Sequence, residues 1–324
     1  MERRILGRTG IEVSRLCFGT LVMGPLQRNL SPEAGGALLA EAYRAGVDFI
    51  DTAELYETYA HIRFSIRESG IVPVISAKSY AYTADGAKAS VGKALTEMGV
   101  ERIDLFLLHE QESEHTLRGH AEALEALLDL KRQGVIRAVG VSTHHVACVK
   151  AATAMAEIDV IHPLLNKAGL GICDGSAEDM TAAVKTACEA GKGLYGMKVF
   201  GGGNLLGGNR LGGYADCLRF ALENPWFHSL AIGMQDSGEL RANLAAFEAW
   251  SAGRPIPEPA EDAGDRPRKA VHVDFWCEGC GKCVARCGQG ALSISGGKAA
   301  ADSGKCVLCG YCAASCPVFA LKVY

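Results

Sequence analysis

No apolar run in the 324-residue sequence reaches the eighteen or so residues that a bilayer-spanning helix needs. The opening Met1-Glu2-Arg3-Arg4-Ile5 lacks the apolar core of an export signal. A cytoplasmic location without a membrane partner is therefore expected. Basic runs of the kind that neutralise phosphates are also missing: 33 basic and 37 acidic residues are spread along the chain, for a formal net charge of −4. That argues against nucleic acid as a partner. What is there is core material. With 48 % hydrophobic residues the chain can fill one large domain and one small one.

Cysteine is the abundant oddity, with 13 copies. Disulfide-rich domains are small and secreted, which this chain is not expected to be, so metal ligation is the better reading. Five cysteines (Cys17, Cys148, Cys173, Cys188 and Cys217) are scattered without ligand spacing and are expected to be buried as small apolar residues. Residues 251–270, SAGRPIPEPAEDAGDRPRKA, are rich in Pro, Gly and charge and have no apolar period. They mark a linker between a domain at 1–250 and another at 271–324.

Before the linker, short apolar runs alternate with amphipathic ones. Leu16–Gly19, Val47–Ile50, Val72–Ala77, Ile103–Leu108, Ile136–Val141, Ile158–His162, Gly193–Val199 and Ser229–Ile232 read as strands. Helical patterns cover Glu33–Ala45, Ala84–Glu97, Gly119–Gln133, His145–Ala156, Glu178–Ala190 and Ser237–Trp250, several followed by a glycine stop at Gly46, Gly99, Gly134 or Gly191. Strand and helix in alternation, eight times in about 250 residues, predict an α/β fold, a closed (β/α)8 TIM barrel. A doubly wound sheet is the competing fold. It calls for a glycine fingerprint after the first strand, and Cys17-Phe18-Gly19-Thr20-Leu21-Val22-Met23-Gly24 is not G-x-G-x-x-G. The stretch RRILGRTGIEVSRL reads as an N-terminal β-hairpin turning at Arg8-Thr9-Gly10, placed to plug the barrel floor.

Cys277, Cys280, Cys283 and Cys287 follow C-x2-C-x2-C-x3-C, and Cys306, Cys309, Cys312 and Cys316 repeat it 29 residues on, ending at Pro317. This resembles the bacterial two-cluster ferredoxins, in which the last cysteine of each run ligates the other cluster. The resemblance implies a small α+β domain with two [4Fe–4S] clusters. Cluster one takes Cys277, Cys280, Cys283 and Cys316; cluster two takes Cys306, Cys309, Cys312 and Cys287. Zinc sites instead pair two C-x2-C knuckles on one ion, and three cysteines at i, i+3, i+6 crowd a tetrahedral metal.

Four ionisable residues fall at or just past expected strand ends, where a βα barrel places its chemistry: Asp51 after VDFI, Lys78 in SAKSY, His109 in LLHE, and Tyr56 five residues after Asp51. DTAELY, SAKSY and LLHE, with the opening LGRTGIEVSRLCFGT and the later GVSTHH, resemble the aldo-keto reductases over roughly residues 1–250. That resemblance implies hydride transfer between NAD(P)H and a carbonyl or alcohol, with Tyr56 as general acid. Lys78 would favour the phenolate, Asp51 would hold Lys78, and His109 would orient the carbonyl. It further implies a nicotinamide cofactor held by Ser142, Asn166, Met197, Lys198, Gly233, Met234, Gln235 and Asn243. Three departures stand out. Thr143 follows Ser142 where Asn is usual, Met197 stands where the family offers an aromatic ring, and Arg241 is the only basic residue near the helix that usually reads the 2′-phosphate.

The glycines Gly201–Gly203, Gly207 and Gly208 either bring backbone amides to a pyrophosphate or form an ordinary flexible loop. Glu57 stands where the family has Gly. With Glu54, Glu110, Glu112, His61 and His115 it forms a polar, acidic mouth, read either as a solvated rim or as a site for a polyhydroxylated or cationic substrate.

A hydride moves two electrons together and a [4Fe–4S] cluster moves one, so a flavin, which has a stable one-electron state, enters as a cofactor candidate. The sequence supports two functions. In the first, an aldo-keto-reductase-like oxidoreductase acts on a small carbonyl or alcohol, with the clusters exchanging electrons with a redox partner protein. In the second, an electron-transfer or redox-sensing protein uses its barrel as a docking scaffold without nicotinamide turnover. A purely structural role for the clusters is a third possibility.

Overall fold

In a computed structural model the described residues are 1–206, 213–259, 270–318 and 320–323. Gly207 and Gly208, and the linker stretch 260–269, lie outside the described residues. The chain opens with the expected hairpin, β1 (Arg3–Ile5) antiparallel to β2 (Glu12–Ser14). Leu6, Ile11 and Val13 are fully buried from it and pack on Cys17, Phe49 and Leu105 inside the barrel. The floor of the barrel is thus closed by apolar burial rather than by a loop.

Eight parallel strands close the barrel: β3 (Leu16–Gly19), β4 (Phe49–Asp51), β5 (Val74–Ser79), β6 (Ile103–Leu108), β7 (Ile136–Thr143), β8 (Val160–Pro163), β9 (Gly193–Gly196) and β10 (Ser229–Gly233). β10 returns to pair with β3 in the register Leu230↔Leu16. The helices α1 (Pro32–Arg44), α2 (Tyr59–Ser69), α3 (Ala84–Met98), α4 (Glu114–Gly119), α5 (Ala121–Arg132), α6 (Val146–Ala154), α7 (Ala177–Glu189), α8 (Tyr214–Glu223) and α9 (Ser237–Ser251) connect them. Local signals start and stop several of these. Ser31 caps α1 with Pro32 at its first position, Ser176 and Asp179 form a capping box on α7, and Gly99 ends α3 in the left-handed conformation.

Three departures from the expected pattern have physical reasons. α5 fits the helix expected at Gly119–Gln133, and the short α4 before it, started by a Ser113–Thr116 capping box, is additional. α2, YAHIRFSIRES, was not expected, because β-branched, aromatic and serine residues give it little helical propensity. It is held by α1, whose Gly36 lies so close to Phe64 and the His61 carbonyl that a Cβ there would not fit. α8 was also not expected; six of its ten residues are buried, so packing holds it.

Beyond α9 the chain stays on the barrel: Ile256 joins its core, and Glu258 accepts a hydrogen bond from the Ala215 amide at 3.2 Å. Elsewhere in the described start of the expected 251–270 linker, residues 251–255 and 257–259 are exposed.

The C-terminal region has two small antiparallel pairs, β11 (Val271–Val273) with β14 (Leu321–Val323) and β12 (Leu292–Ser295) with β13 (Lys298–Ala301). Two short helices, α10 (Lys282–Arg286) and α11 (Tyr311–Ala314), each start after a left-handed glycine inside a cysteine run. The structure therefore repeats where the sequence does. Its core is thin: Leu292, Ala299, Leu308, Leu321 and Val323 with the cysteines themselves.

Candidate active site and cluster sites

Asp51 ends β4 beside Ser76 of β5, Lys78 lies in β5, and His109 follows β6, so the barrel register alone brings these three to one end. Lys78 Nζ donates to both Asp51 oxygens at 2.7 and 2.6 Å and to the Thr52 carbonyl at 2.7 Å, with both side chains buried. Tyr56, in a single 3-10 turn at Glu54–Tyr56, lies over them, its ring centroid 5.1 Å from Lys78 Nζ. The tetrad is therefore assembled.

Two residues not foreseen complete it from below. Tyr195 donates to Asp51 at 2.9 Å, its hydroxyl also meets Ser76 Oγ at 2.7 Å, and it stacks at 3.8 Å on His162, whose Nδ1 lies 2.6 Å from the Tyr195 carbonyl oxygen. Tyr195 lies in β9, two residues before Met197, and is fully buried inside the barrel.

Burial, then the charge of Asp51, pushes the Tyr56 phenol well above its ordinary value, even with the Lys78 ammonium 5.1 Å from its ring centroid. Tyr56 is a protonated phenol. Burial, then Lys78, pushes His109 well below the usual imidazole range, and burial lowers His162 to about 4 despite Asp51. Both rings are neutral at pH 7.

A residue from the C-terminal region occupies the mouth. Tyr311 Oη lies 3.3 Å from Tyr56 Oη and 3.0 Å from His109 Nε2. Arg286 pairs with Glu110 at 2.9 Å, accompanied by the Tyr80 hydroxyl, and stands 5.0 Å from the Tyr311 ring. Burial alone would lower the Arg286 guanidinium; the hydrogen bond and charge of Glu110 outweigh it and raise it. Gln27 donates to the Leu308 carbonyl at 3.1 Å, and Asn204 to that of Cys306.

The acidic rim is accordingly less free than the sequence suggests. Glu110 is paired across the interface, Glu54 meets Ser90 and Lys93, and His61 is buried against the Leu30 carbonyl. Gly202 shows why glycine stands in its loop: at φ +70° a Cβ would overlap the Val307 carbonyl. That glycine admits the C-terminal region.

A cavity of about 1660 Å³ opens beside Tyr56, lined by Asp51, His162, Met197, Leu308 and Tyr311 among others. Its wall includes Met197, Lys198, Gly233, Gln235 and Asn243, whereas Ser142, Asn166 and Met234 are buried outside that wall. Ser142 Oγ accepts from the Glu110 amide at 2.9 Å, and the Asn166 amide group is spent on its own loop, donating to the Leu170 carbonyl at 2.8 Å. The cavity is large enough for a dinucleotide, and five of the eight expected cofactor residues line it.

The cysteines also fit what their spacing implies. Cys287, from the first run, shares a cavity of about 70 Å³ with Cys306, Cys309 and Cys312 from the second. Cys283 interacts electrostatically with Cys277 and Cys280, and packs in the same small core as Cys316. Backbone amides donate to sulfur at four of them: Ala299 to Cys277 at 3.5 Å, Ala291 to Cys287 at 3.4 Å, Leu308 to Cys306 at 3.4 Å and Ala320 to Cys316 at 3.2 Å. Burial, then neighbouring thiols, pushes Cys312 up to about 12. So crowded a thiol set ionises readily only around compensating positive charge, as iron provides. Among the described residues no three His, Cys, Asp or Glu side chains surround a single-ion site.

Of the five scattered cysteines, Cys17, Cys148 and Cys217 are buried and Cys188 is half-buried. Cys173 corrects the expectation: it is exposed, lies at the interface, and accepts from Gln289 Nε2 at 3.3 Å.

Residues 15–217, more than half of the chain, match the Aldo/keto reductase family. The chain belongs to that family. Residues 276–320 of this aldo/keto reductase match a 4Fe-4S dicluster domain. It is 26 % identical over 186 residues to D-threo-aldose 1-dehydrogenase from Pseudomonas sp, an alignment covering 47 % of this chain and 56 % of that protein. It is 24 % identical over 192 residues to the NADH-specific methylglyoxal reductase of Escherichia coli K12, covering 50 % and 58 %. The chain spans about half the length of the curated relatives it matches. The holo form of an aldo-keto reductase from Bacillus halodurans superimposes with a TM-score of 0.63 at 20 % identity, over 77 % of this chain and 91 % of that one, and so shares the barrel fold. No helix among the described residues is long and apolar enough to cross a membrane.

Proposed function

We propose that this aldo/keto reductase is an NAD(P)H-linked oxidoreductase acting on a small carbonyl or alcohol, with two [4Fe–4S] clusters that exchange single electrons with a redox partner protein. The observation that carries the reading is the buried convergence of Tyr56, Lys78, Asp51 and His109 beside a dinucleotide-sized cavity. Relatives whose names place them on an aldose and on methylglyoxal support a carbonyl or hydroxyl substrate.

A nicotinamide supplies or takes a hydride when bound; the chain's own residues handle the proton. Tyr56, kept protonated by burial, donates its phenolic proton to the carbonyl oxygen as charge develops there. Lys78 lies under the ring and stabilises the phenolate left behind, while Asp51, triply bonded by Lys78 and Tyr195, fixes the ammonium. Neutral His109 orients the substrate oxygen through Nε2 without competing for the proton. Met197, Lys198, Gly233, Gln235 and Asn243 would line the nicotinamide site. Cluster two would be held by Cys287, Cys306, Cys309 and Cys312 next to the barrel mouth, with Cys309 packed in the same apolar cluster as Tyr56. Cluster one would be held by Cys277, Cys280, Cys283 and Cys316. A flavin in the large cavity would reconcile two-electron with one-electron traffic.

Tyr56→Phe tests the assignment. Turnover of glyceraldehyde with NADH or NADPH, assayed anaerobically, is expected to fall by about 100-fold or more, the range of a lost general acid, with iron content unchanged. Retained turnover defeats it. Bleaching of the cluster absorbance by nucleotide alone supports coupling of the two halves. Bleaching only by an external one-electron donor favours the carrier reading, in which the barrel is a scaffold.

A further inference from the structure

In a barrel that polarises a carbonyl, one point has to be free: the place where an oxygen can meet both Tyr56 and His109. Here it is filled by the chain itself. Tyr311 Oη lies 3.3 Å from Tyr56 Oη and 3.0 Å from His109 Nε2, within reach of both at once. A phenol oxygen has two lone pairs, so it can take both bonds as a carbonyl oxygen would.

The placement is built rather than incidental. Gly310, at φ +83°, lies against the Leu26 carbonyl and turns the chain inward just before Tyr311. Arg286, held by Glu110, covers the face of the Tyr311 ring. Leu26, Ala53 and Tyr56 pack around it. Behind His109 Nε2, the ring's Nδ1 is buried with no hydrogen-bond partner among the described residues.

We propose that Tyr311 is an internal occupant of the substrate-oxygen site, and that a carbonyl compound reaches Tyr56 only by displacing the Tyr311 phenol. This rests on the reading of Tyr56 and His109 as the carbonyl site. No covalent step is involved. The substrate oxygen takes over hydrogen bonds that the phenol gives up, and the C-terminal region acts as a competitor tethered at high effective concentration. Carbonyl affinity in the intact chain is therefore set by the C-terminal region as much as by the barrel.

The test uses the full chain, purified anaerobically with its iron, as wild type, Tyr311→Phe and Tyr311→Ala. Acetate is the probe, because its oxygen accepts from both groups and needs no turnover; its affinity is read from relaxation of its methyl protons. At least tenfold tighter acetate binding is expected in Tyr311→Ala, and a smaller gain in Tyr311→Phe, which keeps the ring but drops both hydrogen bonds. The gain should vanish when His109→Leu is added. In glyceraldehyde reduction, KM should fall as acetate affinity rises, while kcat does not decrease.

Unchanged acetate affinity in every variant that retains its iron overturns the proposal, and should Tyr311→Ala lose iron, Tyr311→Phe decides. A fall in kcat with iron retained overturns it as well, since Tyr311 would then take part in the reaction. Tighter acetate binding without turnover in any variant removes the carbonyl-reductase reading and leaves the occupancy standing. Turnover with unchanged acetate binding does the reverse.

Discussion

The two regions of this molecule reach order by different routes. The barrel buries a continuous apolar core of strand and helix residues, and its polar site is held by bonds among its own side chains. The C-terminal region has a core of a few aliphatic residues, and six of the fifteen residues that form it are cysteines. On the proposed cluster ligation, one folds on what its sequence contains and the other on what its sequence would bind. The lesson is that their sites should fail differently: removal of a ligand should undo the small region while sparing the large one.

The largest expected effect breaks that contrast directly. Cys309→Ser is expected to remove about half of the iron and to cost the C-terminal region its order, while the barrel still melts as a cooperative unit. Iron analysis and two-probe thermal unfolding check this, and simultaneous loss of the barrel transition would show that the regions fold as one.

Next in size is Lys78→Met. Leaving Asp51 charged and buried without its ammonium is expected to destabilise the barrel by about 3–5 kcal/mol in denaturant unfolding. Turnover should be lost and iron content kept.

A pH effect follows from the neutral buried histidines. Because burial lowers His162 to about 4 from a value near 6.5 in the unfolded chain, the unfolded state binds more protons between those limits. Barrel stability should be fully present above pH 6.5 and fall by up to about 1.4 kcal/mol per pH unit for this ring as pH drops towards 4. His162→Asn should flatten that slope in urea titrations. The smallest effect concerns Glu57, which sits at φ +54° where a side chain is strained. Glu57→Gly is expected to stabilise the barrel by about 1 kcal/mol, visible as a shifted urea midpoint with an unchanged slope.

Much of this was legible in the sequence for local reasons. Leu16–Gly19 and Ile103–Leu108 are bounded as their apolar runs are, because a parallel strand buried on both faces writes itself as a continuous run. Asp51, Lys78 and His109 could be located because strand ends are where a barrel exposes its interior. Tyr311, Arg286 and Gly202 were not legible as site residues. Each matters through the docking of one region on the other, and no period or spacing in the chain encodes that contact. α2 was missed for a related reason, since its helix is imposed by α1.

The two residues between Cys309 and Cys312 have a double duty. They set the interval that lets neighbouring sulfurs face the same small cavity, and one of them is the Tyr311 that enters the barrel. An insertion or deletion there would misplace thiolates and phenol together. Oxidative damage that loosens this loop would likewise be felt at the barrel mouth as a vacated position beside Tyr56, so that corrosion of one end of the molecule rewrites what the other end can admit.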